Sequence, residues 1–187
     1  MNQESESARL KALFANVEPV EVMGIEPQGK TPQQIASLLP RFTTLQQQGS
    51  NPAFGLLFDP QSKRIWALRS GLSPQIEETL NGIRFKSGTM TQAVAKSAGG
   101  VWGQAGNPLG AHIEGQAAAF MRKKGIIAAV LYINGSTPCL GPRGCKENLQ
   151  ELLAEDATLT VYNKNGRRFF FTGLPDGDSS DEDMGTG

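Results

Sequence analysis

Residues 110–153 read "GAHIEGQAAAFMRKKGIIAAVLYINGSTPCLGPRGCKENLQELL". The order of elements in this stretch decides the fold. A helix is expected from about 112 to 124, stopped by Gly125, which suits the left-handed position that ends helices. "IIAAVLYI" follows as a strand, apolar throughout, as a strand covered on both faces is. "NGSTPCLGPRG" is rich in turn residues and reads as a loop. "CKENLQELLA" is a second helix. His112, the only histidine in the chain, opens the first helix, and Glu114 follows two residues later. Cys139 and Cys145, the only cysteines, flank the start of the second.

Working outward, "ATLTVYN" and "RRFFFTG" read as two strands with "KNG" turning between them. On the other side, "AFGLLFD" and "RIWALR" flank "PQSK" and read as a hairpin. "LSPQIEETLNG" reads as a short helix capped by Ser73, with Pro74 next and Gly82 as its stop. "TMTQAVAKSAGG" is one helical stretch. The glycine-rich "GGVWGQAGNPLG" is a loop approaching the active region. Nearer the N-terminus, "TPQQIASLLPRFTTLQQQG" is helical, with Thr31 as cap, Pro32 in the first turn and a break at Pro40. Residues 17–30 read as a linker and residues 1–16 as a short helix. The order β-β-α-β-α-β-β implies an α/β fold, three layers around a five-stranded mixed sheet. The domain division is a helical N-terminal extension over 1–50, a main domain over 51–174 and an acidic, unstructured tail over 175–187.

The chain has 187 residues, enough to bury a core without disulfide staples. No run approaches the roughly 20 apolar residues of a membrane helix, and the polar, acidic start lacks the layout of a secretory signal. Net charge is zero, from 18 basic and 18 acidic residues, but the distribution is uneven. Five acids (Asp176, Asp178, Asp181, Glu182, Asp183) fall in the last fourteen residues without a base, leaving a body of net +5. A basic body suits a polyanionic substrate. An ordinary surface with a solubilising tail accounts for the same charges.

One His and two Cys are the whole stock of soft metal ligands. In an α/β arrangement whose helices follow adjacent parallel strands, the helix N-termini share one sheet edge. His112, Cys139 and Cys145 can meet there as three ligands of a catalytic zinc, with the fourth tetrahedral position open to water. A structural zinc normally takes four protein ligands, and the chain offers no fourth Cys or His. Zinc-bound water ionises near pH 7, and helix N-termini favour the resulting anion. Glu114 is then placed to move protons. Each part has a plainer reading: His112 as a cap, the cysteines as core thiols or a small disulfide. Together, H-x-E followed by P-C…C is the signature of zinc nucleobase deaminases. The chain departs from it in one respect. Five residues, "LGPRG", separate the cysteines where two are usual, and Gly141, Pro142 and Gly144 suit a compact excursion.

With "HIEGQ", "AAFMR", the "YIN" strand and "ATLTVYNKNGRRFFFTGLPD", the sequence resembles the bacterial toxin-type cytosine deaminases, the DddA-like (SCP-type) group. The likeness is close over about residues 110–176. It implies a cytidine-deaminase-like α/β/α sandwich and hydrolysis of cytosine to uracil in DNA. A longer gap between the cysteines is one accepted variant of that group. The resemblance carries His112, Cys139 and Cys145 over as Zn2+ ligands and Glu114 as the proton shuttle. It further implies a toxin delivered by a specialised secretion system and neutralised by an immunity protein. The expected state is a monomer made in the bacterial cytoplasm, without membrane association.

A base is read outside the duplex stack, which calls for phosphate contacts and stacking. Arg143, inside the cysteine loop, is a phosphate candidate. Trp102 is a stacking or wedge candidate, or else an anchor for its loop. Asn134 is a candidate for the sugar or base, or else a turn residue before Gly135. The backbone N–H at Ile113 is a candidate for the pyrimidine carbonyl. Arg122, Lys123 and Lys124 lie at a helix end far from the zinc edge, where cations favour the helix dipole. Two other functions fit parts of the pattern: a deaminase of free nucleosides, nucleotides or RNA, and a metal-free α/β interaction domain.

Overall fold

The computed structural model describes residues 19–41, 52–71, 77–86, 112–135 and 144–175. In chain order the elements are β1 (Val20–Glu21), α1 (Pro32–Ala36), β2 (Phe54–Asp59), β3 (Arg64–Arg69), β4 (Glu77–Leu80), β5 (Ile83–Lys86), α2 (Ile113–Lys124), β6 (Ala128–Ile133), α3 (Cys145–Leu152), β7 (Thr158–Tyr162) and β8 (Arg168–Thr172). The strands form one mixed sheet in the order β4-β5-β3-β2-β6-β7-β8, with β1 also paired to β3.

The hairpin of β2 and β3 is as the sequence predicts, antiparallel from Phe54↔Arg69 to Asp59↔Arg64. Strand β2 then pairs antiparallel with β6, and β6 pairs parallel with β7, whose antiparallel neighbour β8 closes that end. A parallel pair needs a crossover, and α3 supplies it. Every residue of β2 is buried, because its two sets of side chains enter two different cores. Leu57, with Trp66 and Leu68 of β3, packs under α2 and α3 among Ile113, Phe120, Leu131, Leu149, Val161 and Phe171. Phe54, Leu56 and Phe58 face the other way, against Ile35 and Leu39 of the α1 segment, Phe85 and Tyr132. The alternation of period two thus serves a three-layer arrangement.

The five-stranded expectation needs correction: eight strands are present among the described residues. Two of the additions come from "EETLNGIRFK". The sequence reading ends a helix at Gly82, but Glu77–Leu80 is extended and pairs antiparallel with Ile83–Lys86. Asn81 and Gly82 both have positive φ, 52° and 75°, the conformation of a two-residue hairpin turn for which Asn-Gly is the favoured pair. Ile83 and Phe85 are buried, and Glu78 bonds Arg69 of β3 at 2.9 Å. Cross-strand pairing of this kind overrides weak helix propensity. Ser73 and Pro74, the expected cap, lie outside the described residues.

The third addition lies in the expected linker. Val20 and Glu21 pair with Ala67 and Trp66, and Glu21 forms an ion pair with Arg64 that holds its carboxyl below the usual range. The predicted cap of α1 is present as a reciprocal box: Gln34 N donates to Thr31 Oγ1 at 3.3 Å, and Thr31 N donates to Gln34 Oε1 at 2.7 Å. The helix ends at Ala36, short of Pro40. The expected helices at 1–16 and 89–100, the second half of the helix beyond Pro40, and the tail from 176 onward lie outside the described residues. No described helix is long and apolar enough to cross a membrane.

Candidate active site

Helix α2 ends at Gly125, left-handed at φ 66°, and only Ile126 and Ile127 separate it from β6. So short a connection turns the helix back along the strand. The start of α2 therefore lies at the end where β6 finishes, and α3 sets out from that same end. The expected convergence of helix starts is observed, but by a different route from the one inferred. The helices do not follow two adjacent parallel strands: α2 precedes β6 and α3 succeeds it.

His112 is the N-cap of α2 in extended conformation, and its side chain makes no capping bond. The reading of this histidine as a cap for its own helix is thereby set aside. Its carbonyl accepts from Gln116 N at 3.1 Å, and its Nδ1 lies 3.3 Å from Cys145 Sγ. Cys145 is the first residue of α3 and fully buried. Glu114 sits in the first turn of α2, buried although charged. One ligand atom from each of His112, Glu114 and Cys145 lies within 4.8 Å of the others. A buried carboxylate is costly unless a cation or donors meet it, and two helix N-termini supply partial positive charge here.

The donors suit zinc. A nitrogen and a sulfur on one tetrahedral zinc stand about 3.6 Å apart, given typical bond lengths. The observed 3.3 Å needs only a small closing of that angle. Cys139, the expected third ligand, lies outside the described residues, as do Trp102 and Arg143.

Residues not singled out in the sequence hold this arrangement. Gln116, fully buried one turn beyond His112, donates from Nε2 to the Gly71 carbonyl at 2.9 Å and so ties α2 to the exit of β3. Asn148 Nδ2 donates to the Gly144 carbonyl at 2.8 Å, fixing the residue before Cys145. Their signal was available: each is polar and stands four residues, about one helical turn, beyond a residue at a helix entry. Gly55 of β2 lets Ile113 approach, since a Cβ there would stand 3.0 Å from Ile113 Cγ2. The Ile113 side chain is thus core, while its N–H, first in the helix, has no intrahelical acceptor.

Asn134 is buried and bridges two segments. Its Oδ1 accepts from Phe54 N at 2.9 Å and its Nδ2 donates to the Pro40 carbonyl at 2.8 Å. The cations closing α2 lie at its far end: Arg122 donates to the Leu153 carbonyl and Lys124 lies over the Phe120 ring.

A mixed sheet flanked by helices, with a His/Glu/Cys cluster where two helices begin, defines a metal-dependent deaminase-type enzyme. The profile of the SCP1.201-like deaminases matches residues 26–175, and the chain belongs to that family. No curated protein matches it.

Proposed function

We propose that the chain is a zinc-dependent hydrolase that converts cytosine to uracil in DNA, releasing ammonia, and that it acts as an interbacterial toxin domain. The observation that carries the reading is the meeting of His112 Nδ1 and Cys145 Sγ beside a buried Glu114. His112, Cys139 and Cys145 would hold the zinc. Zinc in such a site makes water a nucleophile near neutral pH.

The chain's own residues do the rest. Glu114 takes one proton from the attacking water and delivers it to the ring nitrogen, then takes the second from the hydroxyl now on C4 and delivers it to the amine as the C4–N bond breaks, so both water protons are accounted for. Its burial keeps bulk water from competing for those protons. The Ile113 N–H meets the pyrimidine carbonyl. Trp102 stacks on the displaced base, and Arg143 meets a phosphate beside it. In this reading the domain works as a monomer, is delivered by a specialised secretion system and is neutralised by an immunity protein.

The test pairs wild type with Glu114→Gln on matched single- and double-stranded DNA, with uracil scored by glycosylase cleavage and zinc quantified on both. Expected are about one zinc per chain in each protein and a turnover loss of about 10²–10⁴-fold in the variant. Zinc without product on either DNA would move the substrate to RNA or free nucleosides. Neither zinc nor product would remove the deaminase reading.

A further inference from the structure

On the sheet face opposite α2 and α3, a cavity of about 310 Å³ opens between the α1 segment and the β7–β8 turn. Its polar lining is Gln33, Arg41, Asn134, Lys164 and Asn165, and no acidic residue is part of it among the described residues. The volume is at the small end of ligand sites.

The walls are pinned to one another. Asn134 holds the Pro40 carbonyl, placing Arg41 just beyond it. Lys164 N donates to the Gly135 carbonyl at 3.2 Å, and Gln33 Nε2 donates to the Asn165 carbonyl at 3.2 Å. Gly166, at φ 77°, makes that last contact possible, because a Cβ there would overlap the Gln33 amide. Two segments more than a hundred residues apart thus bring two cations to one cavity. Neither Arg41 nor Lys164 is ion-paired among the described residues. Gathering like charges without a counter-charge opposes folding, and a bound anion reverses the sign.

The position of the cavity indicates which anion. Asn134 directly follows β6, and the end of β6 is where His112 and Cys145 meet on the other face. Cavity and metal cluster therefore share one sheet edge, back to back. We propose that the cavity binds a backbone phosphate of the polynucleotide whose base enters the zinc site. Arg41 and Lys164 supply the charge, while Gln33 and Asn165 supply neutral donors. This assignment rests on the deaminase reading above. A nucleoside has no phosphate to place there, whereas a strand crossing the edge carries one on each side of its target base.

The test measures binding apart from turnover. In full-length, zinc-loaded Glu114→Gln protein, Arg41→Ala with Lys164→Ala is compared with Lys123→Ala with Lys124→Ala at the opposite end of α2. The probe is a labelled cytosine-containing DNA strand, titrated across salt concentrations, with thermal melting as the check on folding. The cavity pair is expected to raise Kd about tenfold and to flatten the log–log salt dependence by about 0.7, the value for one lost single-strand phosphate contact. The control pair leaves both unchanged. In the active background the cavity pair raises KM and spares kcat. An unchanged Kd and salt slope in the cavity pair overturns the assignment. Loss confined to cytidine monophosphate, with DNA binding intact, overturns it in favour of a free nucleotide's phosphate. Should wild type deaminate no DNA while the cavity pair still weakens strand binding, the anion site stands and DNA as the deaminase's substrate is what fails.

Discussion

The two faces of the sheet are built from the same strands but are finished differently. Under α2 and α3, Leu57, Phe120, Leu131, Leu149 and Phe171 close a continuous apolar core, with the three metal-compatible side chains at its rim. On the opposite face, among the described residues, a five-residue helix covers Leu56, Phe58 and Phe85, and the edge beside it is lined by basic side chains. The difference teaches where precision is spent. Side chains that are to hold a metal need placing within fractions of an ångström, and the metal-compatible cluster sits at the roots of helices buried on one side. The phosphate site proposed for the other face, built on a lysine and an arginine, tolerates looser walls.

The contrast can be broken in order of effect. Cys145→Ser removes a proposed zinc ligand from the closed face. Bound zinc should be lost along with all activity, a larger defect than Glu114→Gln, and metal analysis of the purified variant reads it directly. Phe120→Ala empties the same core, where its ring meets Trp66 edge-on with centroids 5.0 Å apart. A loss of about 3–5 kcal/mol is expected from denaturant unfolding. Thr31→Ala strips the cap of α1 and should cost about 1 kcal/mol, leaving zinc content unchanged. A result as large as that of Phe120→Ala would show that the thin face is as cooperative as the thick one.

The smallest effect is a matter of pH. Burial, helped by the neighbouring Tyr162, pushes the Tyr132 hydroxyl above the usual tyrosine range. The folded state therefore holds this proton longer than the unfolded chain does. Its contribution is fully present below the unfolded value of about 10 and is lost as pH rises from there through the folded value. Tyr132→Phe should flatten the alkaline fall of Tm, and melting curves between neutral and alkaline pH would show whether it does.

Much of this was legible locally. The cap at Thr31, the stop at Gly125, the β2–β3 and β7–β8 hairpins and the α2–β6–α3 order all follow from short-range rules, because turns, caps and apolar periodicity act over a few residues. His112 and Cys145 could be nominated because the chain has so few soft ligands to choose from, and Glu114 because it stands two residues from that histidine. The strand at Glu77–Leu80 was misread because its stability comes from partners at Ile83–Lys86 and Arg69, while Ser73 and Pro74 gave a helix signal from the immediate sequence.

By itself, then, the sequence determined which elements form around the site and which side chains could bear its chemistry. Tertiary structure decided that α2 folds back along β6, so that His112 Nδ1 lies beside Cys145 Sγ across 33 residues of chain. It also decided that Arg41 and Lys164 share a cavity. Distances of that kind depend on how strands register and how helices pack, and these are properties of the whole sheet.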